Sequence, residues 1–364
     1  MGKMLLQAGA NYPAETWVME MEGSAPAAHL AHHFVKGDFR KFDDVYNFGK
    51  GLDAVAIEIE AVNEEALKKL EDEGVKVYPS SRALGIIKNK VVQKQFYKEH
   101  GIPSADFVIT EKRAEVLNHS ALFPAIHKIG LGGYDGRGVI SIKNKEEASA
   151  AFDAQSVLEK KVDIAKELSV IVAVGNDRKT VTYPAVDMVF DPVLNLLDYQ
   201  ISPAKLPEAV LRKADEIALA VVKSLDSAGI FAVELFIDKE NNVLVNETAP
   251  RVHNSGHHTI EANYCSQFDM LWRVMLDYPL GNTGHIVPAA AIVNIIGAEG
   301  YSGKADYEGL EKVLAMHNVF VHIYGKPETK PGKKMGHATI LGRDSAELIK
   351  TAHKIKDTLT VKSK

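Results

Sequence analysis

The sequence predicts a multidomain protein of mixed α/β and α+β class. Three observations carry that reading. The first ~85 residues alternate short β-like runs with an amphipathic helix, the pitch of a parallel α/β layer. The middle of the chain strings together strand–loop–strand units around one long helical stretch. The length, 364 residues, suits two or three domains at roughly 100–200 residues each.

Taken in order, WVMEM and AVAIEIE are the first β-like runs. NEEALKKLEDEG is an amphipathic helix stopped by Gly74, and VKVYP is a strand stopped by Pro79. NKVVQKQFYKEHGIP predicts a second helix, with Val92, Phe96 and Glu99 at helical spacing, Gly101 as its C-cap and Pro103 beyond. FPAIHKIGLGGYDGRGVISI reads as strand, glycine-rich loop, strand; SVLEKKV is a strand, and ELSVIVAVG alternates with period two. The longest helix, PEAVLRKADEIALAVVKSLDSAG, carries an apolar stripe of Leu211, Ala214, Ala218, Val221, Val222 and Leu225. IFAVELFIDKENNVLVNETAPR is a hairpin with a polar turn, and HIVPAAAIVNIIG is a buried strand, too short to span a membrane. The last ~80 residues mix strand-like VFVHIYG and HATILG around a basic turn, KPETKPGKKMG.

Composition narrows the function. Charged residues make up 25% with a net charge of −5 and no long basic run, which argues against a dedicated nucleic-acid binder. The one cysteine, Cys265, excludes a disulfide within the chain and points to a reducing, cytoplasmic setting. No signal peptide is visible, and Leu6 stands where a myristoylation motif needs Ser or Thr.

The hairpin after Gly229 is the most informative local object. If its KENN turn is symmetric, Asp238 pairs with Val243 and Glu234 falls opposite Glu247. Directly opposed carboxylates, about 4.5–5.5 Å apart, are destabilising unless a cation sits between them. Hard dications take such oxygen ligands. The competing reading is two solvated glutamates on an exposed face, but Glu234 interrupts an otherwise apolar strand.

KIGLGGYDGRG sets Lys128 just before five glycines in nine residues, a pattern in which backbone N–H groups can approach phosphate oxygens. No GK[ST] follows, so it is not a P-loop, and a plain flexible loop competes with an anion site. RVHNSGHHTIEA is rich in hydrogen-bonding groups; the expectation is a helix N-terminus capped by Asn254 or Ser255, with His257 and His258 diverging. No HExxH or CxxC supports zinc.

Together, HKIGLGGYDGRG, LEKKV followed by KELSVIVA, FAVELF, LVNETAPRVHNSGHHTIEA and KKMGHATILG resemble the 5-(carboxyamino)imidazole ribonucleotide synthase family, from about Gly2 to beyond Gly342. The resemblance implies an ATP-grasp fold in three parts. Residues 1–88 would form an N-terminal Rossmann-like (pre-ATP-grasp) domain, 89–280 the ATP-grasp domain and 281–364 a small C-terminal β-rich domain. It implies a cytoplasmic homodimeric ligase that uses ATP, Mg2+ and bicarbonate to carboxylate the exocyclic amine of 5-aminoimidazole ribonucleotide, through carboxyphosphate, in purine biosynthesis. Another ATP-grasp acyl-phosphate ligase, such as a formate-dependent glycinamide ribonucleotide transformylase, or a non-catalytic nucleotide-binding homologue are the alternatives.

By the resemblance, Lys90 and Lys128 contact the ATP phosphates, and a loop of Gly133, Tyr134, Asp135, Gly136, Arg137, Gly138 and Val139 folds over them. Glu159, Lys160, Lys161 and Val162 hold adenine through backbone hydrogen bonds, and Glu167 binds the ribose hydroxyls. Glu234 and Glu247 hold Mg2+, with Asn246 beside the nucleotide. Tyr134, Asp135, Arg137, Lys326, Lys333 and Lys334 face the ribonucleotide, the basic turn on its phosphate. Arg251, Asn254 and Ser255, with Lys334, form the catalytic set at the bicarbonate end.

Three departures from the family pattern stand out. A first strand and turn of the form GGGQLGRM would precede MGKM, so a gap is expected in the N-terminal sheet beside the strand containing Val18. Phe190 occupies a position where many members carry a nucleotide-contacting histidine. Lys90 and Lys333 stand where arginine is common, and lysine cannot make the same bidentate contact.

Overall fold

The computed structural model describes residues 1–133, 138–190 and 197–364. Its N-terminal part holds two parallel ribbons: Trp17–Glu20 with His33–Lys36, and Ala54–Ala56 with Lys76–Tyr78. Asn63 caps the helix Glu64–Asp72 by accepting from the amide of Ala66, and Leu67 and Leu70 fill the core beneath it. The two ribbons are not hydrogen-bonded to each other. A cleft of about 930 Å³ separates them, lined by Trp17–Glu20 on one side and residues 54–58 on the other. The strand containing Val18 therefore does border a gap. A helix that the sequence reading did not anticipate, Gly2–Gly9, flanks this cleft. It docks where Trp272 donates to the carbonyl of Leu5, and a side chain at Gly9 would meet the Trp272 ring at 2.5 Å.

Two further sheets frame the centre. A four-stranded sheet runs Phe107–Thr110, Ser156–Lys160, Ala125–Ile129, Val139–Ile142. A larger sheet runs from Val243–Ala249 through Gly229–Asp238, Ile164–Val174, Val186–Phe190 and Leu197–Ser202, and on through Ala289–Ile296 and Lys334–Gly342 to Val319–Ile323. The C-terminal strands thus continue the central sheet, and the helix Ser345–Thr358 packs Leu348, Ala352 and Ile355 onto them. No helix among the described residues is long and apolar enough to cross a membrane.

Two periodicity readings need correction. Leu168 to Val174 are buried on both faces of their strand, because the helix Glu208–Leu225 covers one face and Phe268 and Leu271 cover the other. In the helix Lys90–Glu99, Val92 is exposed, while Val91, Gln93, Lys94, Phe96 and Tyr97 turn inward. Polar residues that serve a site occupy its inner face, so apolar periodicity misphases it.

Candidate active site

The site begins with the hairpin. Ile237, not Asp238, pairs with Val243, so the turn is offset by one residue from the symmetric expectation. A β-bulge between Glu234 and Leu235 compensates: Leu235 pairs with Val245, Glu234 pairs with Glu247, and Asn246 is the extra residue. The two carboxylates are opposed as expected, but by two deviations that cancel. Neighbouring elements hold the bulged strand in place. Tyr97, wholly buried, bonds its hydroxyl to that of Thr248 at 2.8 Å, and Val245 donates to the carbonyl of Pro103 at 2.8 Å.

Cations converge on this pair. The Lys90 ammonium sits on Glu247, carried there by a helix start anchored where the Lys90 amide donates to the Gly130 carbonyl. Lys128 donates to the Asn246 side chain at 3.0 Å and pairs with Glu159 at 3.0 Å. Glu159 is buried and also faces Lys94 at 3.4 Å, whose ammonium burial pulls down to a pKa of about 8. Lys90 holds Glu247 below the usual carboxylate range. Burial, then the neighbouring Glu247, pushes Glu234 up. One carboxyl of the dyad is thus pushed up and the other held down by its ammonium, the direction expected of two like charges in apposition.

Glu167 lies on the adjoining strand, its carboxyl raised by burial to about 7. Lys160 ends its strand, and Lys161 and Val162 lie just past it. Gly133 borders the glycine loop, Gly138 takes φ +81°, and Val139 pairs with Lys128 inside a strand rather than in the loop. Phe190 closes the strand Val186–Phe190. Tyr134, Asp135, Gly136 and Arg137 lie outside the described residues.

The opposite wall comes from residues 251–257 and the C-terminal strands. His253, not Asn254 or Ser255, caps the short 3-10 turn, its ring accepting from the Ser255 amide. Ser255 is wholly buried, its hydroxyl bonded to Ser169 at 2.7 Å and to His253 at 2.9 Å. It therefore shapes the turn rather than facing the cleft. Asn254, Lys326 and Lys334 line the 930 Å³ cleft, and the Lys334 charge acts on Glu234. Lys333 instead donates to the Glu328 carbonyl at the surface. Arg251 pairs with Glu60 at 2.9 Å.

Several residues at the site were not singled out from sequence. His253 stands 3.6 Å from Glu234, Glu58 binds the N-terminal ammonium of Met1 at 2.6 Å, and Glu60 holds Arg251. The signal for the glutamates was available: IEIE sets two charges into a β-like run.

Comparison with known proteins agrees with this architecture. Three family models match: the ribonucleotide synthetase preATP-grasp domain over residues 1–88, the ATP-grasp domain over 95–268, and the phosphoribosylaminoimidazole carboxylase C-terminal domain over 290–351. The N5-carboxyaminoimidazole ribonucleotide synthase of Aquifex aeolicus is 32% identical, over 98% of this chain and 93% of its own. The chain belongs to the N5-carboxyaminoimidazole ribonucleotide synthase family. The Thermotoga maritima synthetase of that name has a solved structure with TM-score 0.91 and 36% identity, covering 100% of this chain and 97% of that one. A synthase structure from Aspergillus clavatus, in complex with ADP and 5-aminoimidazole ribonucleotide, matches at TM-score 0.87 and 29% identity over 98% and 95% of the two chains. The chloroplastic phosphoribosylaminoimidazole carboxylase of Vigna aconitifolia is 35% identical over 94% of this chain, which spans 62% of that longer protein. As a family member, the protein is an ATP-grasp ligase.

Proposed function

We propose that this N5-carboxyaminoimidazole ribonucleotide synthase homologue uses ATP and bicarbonate to carboxylate the exocyclic amine of 5-aminoimidazole ribonucleotide. The observation that carries the reading is the Glu234–Glu247 pair, ringed by Lys90, Lys128 and Asn246, with the charge of Lys334 reaching Glu234 and Lys334 itself lining a cleft together with Lys326. One end suits a nucleoside triphosphate and the other a phosphate monoester.

Lys128 and Lys90 neutralise the triphosphate. Glu167 accepts from the ribose hydroxyls, and backbone groups of residues 159–162 hold the adenine. Two opposed carboxylates with no room for two negative charges fit Mg2+, which supplies charge neutralisation at the phosphates. A bicarbonate oxygen, held by Arg251 and Asn254, attacks the γ-phosphorus while its bond to the β-bridging oxygen breaks, giving ADP and carboxyphosphate. The exocyclic amine then bonds to the carboxyl carbon as phosphate leaves, and the amine proton passes to that phosphate. Tyr134, Asp135 and Arg137 complete the substrate set in this reading, and the labile intermediate requires that water be kept from it. A cytoplasmic homodimer belongs to the same reading, and sedimentation at twice 39.8 kDa tests it.

Glu234→Gln and Glu247→Gln each abolish turnover, with a loss of about 10³-fold or more, the scale of a lost charge-stabilising group. Full activity of either variant at ordinary Mg2+ overturns the assignment.

A further inference from the structure

Away from the nucleotide end runs a polar column that the reaction above leaves unused. His257 stacks on His337 with ring centres 4.6 Å apart, and His337 stacks on His322 at 4.5 Å. His257 and His337 are buried, and burial holds both well below the usual imidazole range, so both rings are neutral. His322 ends the column on Glu261, Nε2 to Oε1 2.6 Å. On the cleft side the Tyr324 hydroxyl is hydrogen-bonded to Nδ1 of His337 at 3.1 Å, and the Lys326 ammonium stands 5.7 Å from the centre of the Tyr324 ring. Tyr324 and Lys326 both line the cleft.

Burying imidazoles costs desolvation that apolar side chains avoid, so a plain staple between domains has no need of His257 and His337. What these rings supply is direction. Glu261 orients His322, His322 and His257 sandwich His337, and His337 fixes the Tyr324 hydroxyl and so its ring. A ring held in one orientation presents its π-face to Lys326 without an entropic cost at binding.

We propose that His337, His322 and Glu261 are positioning residues for the phosphate-bearing end of the second substrate, acting through Tyr324 to hold Lys326 at the cleft wall. This rests on the reading above, in which the Lys326–Lys334 end takes a phosphate monoester.

The test measures calorimetric binding of 5-aminoimidazole ribonucleotide and of ATP, separately, with melting temperatures, on the full chain. Tyr324→Leu should weaken ribonucleotide binding about tenfold, the scale of a desolvated cation–π contact, and leave ATP binding within about twofold. His337→Leu should weaken ribonucleotide binding by about threefold to tenfold. His337→Asn, whose amide keeps a hydrogen-bonding group at the δ position, should recover most of that loss. Tyr324→Phe, which keeps the packing, should lose about threefold for the ribonucleotide alone. Unchanged ribonucleotide binding in these variants, or equal losses for both ligands that track melting temperature, overturns the positioning role. A wild-type protein that binds no ribonucleotide overturns the functional reading itself, a different outcome from wild-type binding with indifferent variants.

Discussion

Lys90 occupies the place where a cation is most needed. Its ammonium rests on Glu247 and holds that carboxylate low, while burial and Glu247 push Glu234 up. A dication binding this pair must compete with that ammonium. Lys90→Met removes that resident charge and should tighten Mn2+ binding to the nucleotide-free protein about tenfold or more, read by calorimetry, whereas Lys90→Arg should not. Equal Mn2+ affinity in wild type and Lys90→Met would show that Lys90 guards nothing. Glu167 offers a second test. Its folded-state pKa, about 7, lies above the ordinary 4.5. The folded protein therefore binds more protons than the unfolded chain between those values, and stability falls as pH rises through them. Glu167→Gln should gain on wild type across that window, by about 1–2 kcal/mol after discounting for partial exposure. A difference in melting temperature that is flat with pH would contradict it.

The hairpin shows how far sequence reasoning reaches at the scale of an element. Strand limits, the polar turn and the opposed glutamates were all legible, because Glu234 breaks an apolar run and side chains alternate with period two. The bulge was not legible: nothing in VNET distinguishes an extra residue from a paired one, and the symmetric-turn assumption reached the right pair through an offset that the bulge cancels. Deleting Asn246 should therefore leave Glu247 opposite Glu234 in a regular ladder and remove only the side-chain partner of Lys128. Turnover should fall about tenfold or more, the scale of a lost charge-assisted hydrogen bond, while the circular dichroism spectrum is kept; a fully active deletion variant would mean that Asn246 does not serve Lys128. The helix Lys90–Glu99 failed for a related reason, since Lys94 turns inward to Glu159 and Gln93 to the carbonyl of Ile87, and both invert the hydrophobic pattern. Sequence spacing likewise pointed to Asn254 or Ser255 as the cap after Val252. The His253 ring took that role because Ser255 is committed to Ser169.

At the scale of the molecule, segments far apart in sequence line one cleft: the N-terminal ribbons supply Glu58, the turn after the central hairpin supplies Asn254, and the C-terminal strands supply Lys326 and Lys334, whose charge reaches the dyad at Glu234. Continuity of the large sheet into the C-terminal strands fixes where Lys334 stands relative to the Glu234–Glu247 pair. The proposed reaction couples two substrates across that span. The direct measurement follows ADP and N-carboxylated ribonucleotide together, with bicarbonate, formate or neither, and with or without 5-aminoimidazole ribonucleotide. The account predicts ATP turnover that requires bicarbonate, is not supported by formate, and yields carboxylated ribonucleotide in step with ADP when the amine is present. Turnover indifferent to bicarbonate, or no carboxylated product while ADP accumulates, would contradict it.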